Sequence, residues 1–166
     1  LEDPALPTVL TQSAALTSIG AWRGHGLPIP PLLGSGPGKT GGYYTKAAIR
    51  EIVTLAGRFG IEVVPEIDVP GHCYAMLKAL PQLRDPGEHG QYFSVQGFPN
   101  NCLNPAREET YRVLETIFDE MIELFPFKAI HVGADEVPIG AWSGSPQALK
   151  RLAELGGEAL AQSHAK

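Results

Sequence analysis

The chain has 166 residues and a formal net charge of −5, and its 13 Lys and Arg are scattered, which excludes the clustered basic footprint of a nucleic-acid binder. Its apolar share is enough for one domain with a core, and no run of about 18 apolar residues exists to form a transmembrane helix. Cys73 and Cys102 stand without a C-x-x-C or zinc-spaced His, which argues against a structural zinc site, and a neutral or polar small ligand is expected, with no nucleic acid and no membrane as partners.

The N-terminus, Leu1-Glu2-Asp3-Pro4, has neither an initiator Met nor a basic-then-apolar leader, and the sequence reads as a piece of a longer chain. Residues 1 to 42 are rich in Pro and Gly and are expected to be loop, with only Leu10 to Ser18 open to a helix. Gly36-Pro-Gly-Lys-Thr40 has the tail of a phosphate loop. The motif's first glycine would fall on Leu33, however, and no strand precedes it, so a flexible loop is expected.

From Thr45 a helical period takes over: Ile49, Ile52, Val53, Ala56 and Phe59 form one stripe, with Thr45 as the cap and Gly60 as the stop. Ile61 to Asp68 follows as a β-branched strand that ends in Asp68-Val-Pro-Gly-His72. Taken alone, Asp68 could cap the turn and His72 could pack beside the short helix Cys73 to Leu80. Residues 81 to 103 form a connection long enough for a lid or binding loop, in which Tyr92, Phe93 and Phe98 either pack the loop or meet a ligand.

Asn104-Pro105 has the residues that open a helix, and Tyr111, Leu114, Ile117, Phe118, Met121, Ile122 and Phe125 give it an apolar face up to Pro126. A second strand, Lys128 to Val132, leads into Gly133-Ala134-Asp135-Glu136. Ser145-Pro146 then starts a third helix, with Leu149, Leu152 and Leu155 on its face and Gly156-Gly157 as its expected end. The echo of Ile19-Gly-Ala-Trp-Arg-Gly in Ile139-Gly-Ala-Trp-Ser-Gly is too short to establish a repeat.

Helix, strand and loop thus occur twice, and both strands carry their polar residues at the C-terminal end, which favours parallel strands with right-handed crossovers. Two parallel strands leave unpaired edges, so the fold class predicted is α/β, a partial (β/α)₈ TIM barrel comprising about strands 3 and 4 with flanking helices. Neighbouring strands lie about 4.8 Å apart. Asp68 and His72 would therefore share one mouth with Asp135 and Glu136. Two adjacent carboxylates at a strand end can divide their work, one as a proton donor and the other ionised against a substrate group.

These residues resemble the β-N-acetylhexosaminidases and chitobiases of glycoside hydrolase family 20. The resemblance rests on Tyr44-Thr45, Val64-Pro-Glu-Ile-Asp-Val-Pro-Gly-His72, Asn101 to Pro105, and His131-Val-Gly-Ala-Asp-Glu-Val137 with Trp142, over residues 17 to 155. It implies a retaining, substrate-assisted hydrolase that removes terminal β-linked N-acetylglucosamine or N-acetylgalactosamine. Glu136 would be the general acid and Asp135 the residue that orients the 2-acetamido group. His72, Asp68 and His131 would support them, Trp142 would contact substrate, and no metal or cofactor is implied. Ala134 departs from the family's second glycine.

The family's Arg-bearing first strand, the acidic end of its second and its later aromatic strands are not found in the sequence. The chain is thus expected to be a fragment of one catalytic domain over 1 to 166, loop-rich over 1 to 42 and βα-built over 43 to 157. The fragment by itself is expected to be inactive, with exposed barrel edges through which it could oligomerise. The resemblance suggests a periplasmic or secreted protein. Two other readings stay open: a non-catalytic carbohydrate-binding remnant, and a metal-dependent hydrolase with Asp68, His72, Asp135 and Glu136 as ligands.

Overall fold

The computed structural model describes residues 14–31 and 36–164, so the expected helical stretch from Leu10 falls outside the described residues as far as residue 13. Helices α1 (Lys46–Arg58), α2 (Tyr74–Ala79), α3 (Glu108–Leu124) and α4 (Pro146–His164) dominate, and strands β1 (Trp22–Arg23) and β2 (Thr40–Gly41) pair antiparallel. The result is an α/β fragment with little sheet. The lead-in is less irregular than its composition suggests, since a π-helical turn at Leu16–Gly20 precedes β1. Lys39, from the phosphate-loop-like run, lies 4.0 Å from the centroid of the Trp22 ring, a cation–π contact.

Helix α1 forms as its pattern dictates. The Ala48 N–H donates to Thr45 Oγ1 over 3.1 Å at one end, and Gly60 turns left-handed at φ 69° beyond the other. Of the apolar stripe only Ile49 is buried and Val53 and Ala56 half-buried, while Ile52 and Phe59 are exposed. Among the described elements it is α3 that reaches α1, through Lys46–Glu120 at 2.6 Å and Arg50–Glu123 at 3.5 Å, covering one edge of the face.

Helix α3 starts a turn later than Asn104-Pro105 suggests. Asn104 Oδ1 accepts the Ala106 N–H at 2.9 Å in a local turn, and its Nδ2 donates to Asp85 Oδ2 at 3.0 Å and Ser145 Oγ at 2.9 Å. With that side chain committed to other loops, the helix opens at Glu108 and Glu109, whose charges suit its N-terminal dipole. Its buried stripe is Thr110, Ile117, Glu120, Met121 and Leu124, and Tyr111 and Ile122 point outward, against the expected face. Ile117, Met121 and Leu124 join Leu77, Leu80 and Leu103 in the main core.

Helix α4 begins as expected, with the Ala148 N–H donating to Ser145 Oγ at 3.1 Å. It does not stop at Gly156-Gly157 but runs to His164. Each glycine lowers helix propensity by about 1 kcal/mol without forcing a stop, and the Ala-rich sequence beyond restores it. Leu149, Leu152 and Leu155 remain exposed along it.

The two predicted strands meet in the predicted parallel sense, but only as one bridge between Glu66 and His131. His131 N–H donates to Pro65 O, and Ile67 N–H to His131 O, both at 2.9 Å. Extension backwards would need an N–H on residue 65, which proline lacks. Extension forwards is broken by the left-handed Gly133, and Val69 N–H meets Val132 O at 3.1 Å instead of continuing the regular step. The pairing is short for these local reasons, yet it fixes which residues leave the two strand ends side by side.

Candidate active site

Immediately past the bridge, Asp68 turns toward the second strand end. Its Oδ1 accepts the Ala134 N–H at 3.2 Å, and its Oδ2 lies 3.8 Å from His72 Nε2. The same nitrogen lies 3.5 Å from Glu136 Oε2, so the imidazole sits between a carboxylate of each strand end. The His72 side chain is 1 % exposed, Asp68 17 % and Glu136 44 %, a gradient from a buried anchor to an accessible acid. The loop is held from below as well, where the Cys73 thiol donates to the Asp68 carbonyl at 3.5 Å.

The backbone at this point is unusual. His72, Ala134 and Glu136 all have left-handed φ, at 52°, 71° and 45°. Such a conformation costs a non-glycine residue of order 1–3 kcal/mol and concentrates where geometry serves function. Gly133 shares it at φ 63°, and a Cβ there would collide with the Asp68 carboxylate. Gly71 is similarly tight, since a Cβ would stand 3.1 Å from the Asp135 carbonyl oxygen. Ala134, the departure from the family pattern, is accommodated with its N–H on Asp68.

Burial pushes the Asp68 carboxyl above its ordinary 3.8; the Ala134 N–H and His72 oppose that rise, and Asp135 adds to it. The ligand atoms of Asp68, His72 and Asp135 lie within 4.8 Å of one another, so these three could hold a cation. Their donor set, one imidazole and two carboxylates, would suit a borderline divalent metal.

The other candidates lie in different surroundings. His131 is exposed, with Nδ1 at 3.1 Å from the Gly133 N–H and 3.3 Å from Glu66 Oε2. Those two contacts are alternatives, because the nitrogen accepts from Gly133 when bare and donates to Glu66 when protonated. Trp142, half-buried at φ 60°, donates its indole Nε1–H to the Leu103 carbonyl at 2.9 Å, which ties the loop after Glu136 to the one before α3.

Two contributions have no local sequence signal. Gln96 Nε2–H donates to Glu136 Oε2 at 3.2 Å from the long connection between α2 and α3. Asp85, Asn104 and Ser145 form a polar knot in which Asp85 Oδ2 accepts from both partners, joining three loops around the site. Asn104-Pro105 and Ser145-Pro146 are legible as helix starts, but nothing in their spacing says that Asn104 and Ser145 meet.

The model of "Glycosyl hydrolase family 20, catalytic domain" matches residues 1–166. A Vibrio furnissii β-hexosaminidase is 46 % identical over 142 residues, which is 85 % of this chain and 23 % of the relative. The human β-hexosaminidase subunit beta is 32 % identical over 121 residues, 73 % of this chain and 21 % of the relative. Among solved structures, the GH20 exo β-N-acetylglucosaminidase from Vibrio harveyi in complex with N-acetylglucosamine superimposes with a TM-score of 0.84 at 40 % identity. That match covers 90 % of this chain and 24 % of the other. The chain thus spans less than a quarter of the length of these relatives.

Proposed function

The chain belongs to the catalytic domain of glycosyl hydrolase family 20, and from that membership we propose that its protein removes terminal β-linked N-acetylglucosamine or N-acetylgalactosamine by a retaining, substrate-assisted reaction. The residues described here would supply about strands 3 and 4 of a (β/α)₈ barrel, with the rest of the barrel completing the sugar pocket. Without that remainder, the isolated chain is expected to be inactive.

The observation that carries this proposal is His72 Nε2 at 3.5 Å from Glu136 Oε2, with Asp68 Oδ2 at 3.8 Å from the same nitrogen. A buried imidazole whose one nitrogen faces two carboxylates fixes where the accessible acid stands. Glu136 would donate its proton to the glycosidic oxygen as the bond to the anomeric carbon breaks. The substrate's own acetamido oxygen would form the new bond to that carbon, giving an oxazolinium ion. Asp135 would accept the acetamido N–H and stabilise the positive charge. Glu136, now a carboxylate, would take a proton from the water that opens the ring. Trp142 would help to wall the sugar, and His131 would lend secondary support to the strand end.

The test uses the protein over its full length. Glu136→Gln should depress hydrolysis of an alkyl N-acetylglucosaminide by about 10²- to 10⁴-fold, the usual worth of general acid catalysis. A 4-nitrophenyl glycoside, whose leaving group needs little protonation, should lose far less. Wild-type rates on the alkyl substrate would refute the acid role. The closeness of Asp68, His72 and Asp135 also permits the metal-dependent reading, and loss of activity on treatment with a chelator would favour it.

A further inference from the structure

Glu136 is approached from a direction that the reaction above leaves unused. Gln96 donates to Glu136 Oε2 at 3.2 Å, the same oxygen that His72 faces at 3.5 Å. A long exposed amide loses rotamer freedom by keeping such a contact, so its value depends on how firmly its backbone is held.

Here the backbone is held by a small hairpin. Ser94 N–H donates to Phe98 O and Gly97 N–H to Ser94 O, both at 2.9 Å, which closes a tight turn around Gln96. Phe98 N–H also donates to the Ser94 hydroxyl at 3.1 Å, and Phe93 and Pro99 form an antiparallel bridge beside it. Phe98 then packs on Tyr74, with ring centroids 4.7 Å apart. Tyr74 is the first residue of α2, two residues after His72. Gln96 and His72 are therefore referenced to the same helix, although 24 positions separate them in the chain (96 − 72).

We propose that Gln96 is a positioning residue that holds Oε2 of Glu136, the oxygen nearest His72, and so directs the acidic proton to Oε1. This inference rests on Glu136 being the general acid. The chemistry is directional: with Gln96 donating to one oxygen and the His72 ring close against it, the carboxyl group presents its proton from the other, and only that oxygen can serve the leaving group.

Two measurements test it. In the full-length protein, the Gln96 side-chain amide resonance should shift and its hydrogen exchange should quicken on Glu136→Ala, whereas Glu123→Ala, which removes only the ion pair with Arg50, should leave it alone. An amide indifferent to Glu136→Ala would overturn the contact. In the full-length protein, Gln96→Leu and the closely shaped Gln96→Met should lower kcat on an alkyl N-acetylglucosaminide by about tenfold, the worth of one oriented bond to a charged group. KM and the rate on the 4-nitrophenyl glycoside should change little. Equal losses on both substrates would mean a merely structural role, and no loss would mean no role. Glu136→Gln is measured alongside. If it loses the alkyl substrate while Gln96→Leu does not, only the inference fails; if it keeps that substrate, the general acid assignment fails with it.

Discussion

Gly133→Ala offers the sharpest trial of how this site is held. The residue has φ 63°, where an L side chain costs about 1–2 kcal/mol. The new Cβ would also meet the Asp68 carboxylate and stand 3.0 Å from Asp68 Cα, so the aspartate has to move. Moving it sacrifices the Ala134 N–H bond to a charged oxygen, worth about 1.5–3 kcal/mol. Together these predict a destabilisation of about 2.5–5 kcal/mol. Urea unfolding of the chain, followed by far-UV circular dichroism, measures it. Gly57→Ala is the control: it lies within α1 with nothing inside 4 Å of an added Cβ, and it should gain about 0.5–1 kcal/mol from lower backbone entropy in the unfolded chain. If Gly133→Ala unfolds within about 0.5 kcal/mol of wild type, the ordinary range for an unconstrained site, then Gly133 is not what lets the two strand ends close on each other. In the full-length protein the same substitution should depress hydrolysis, because His72 loses its ordered carboxylate.

Much of the architecture follows from local pattern. Thr45 and Gly60 bracket α1 as their chemistry requires, and the two expected strands do meet in parallel. The failures are places where a side chain with a good local use has a better distant one. Asn104 is a strong N-cap residue, yet Asp85 and Ser145 claim its amide and α3 starts later. Gly156-Gly157 is a sound stop signal that a long Ala-rich continuation overrides. The strands are truncated by Pro65 and Gly133, both plain in the sequence. Their consequence depends on register, which periodicity alone does not give.

The site divides in the same way. Asp68, His72, Asp135 and Glu136 were legible because each sits just beyond an apolar run, and parallel strands bring such ends together. The structure joins Asp68, His72 and Glu136 through a single buried imidazole. Gln96 could not be found in this way, since one polar residue in a 23-residue connection has no period and no spacing to mark it. Its contact exists because Phe98 packs on Tyr74, an arrangement that only tertiary structure decides.

Two further outcomes probe the supports of the site. Ser145→Ala removes a fully buried hydroxyl that caps α4 and joins Asp85 to Asn104, and about 2–4 kcal/mol of stability should be lost. A thermal midpoint shifted by less than about 2 °C would show that the knot is not needed. For Asp68 the folded carboxyl lies above its ordinary 3.8 because burial disfavours the charge. Between 3.8 and the raised folded value the native state therefore binds more protons than the unfolded one, and stability must fall as pH rises across that window. Glu88, also raised by burial and by Asp85, contributes in the same direction. The informative quantity is thus the difference between wild type and Asp68→Asn. That difference should move in favour of Asn as pH rises from about 4, and parallel profiles from urea unfolding would mean that burial of Asp68 carries no such penalty.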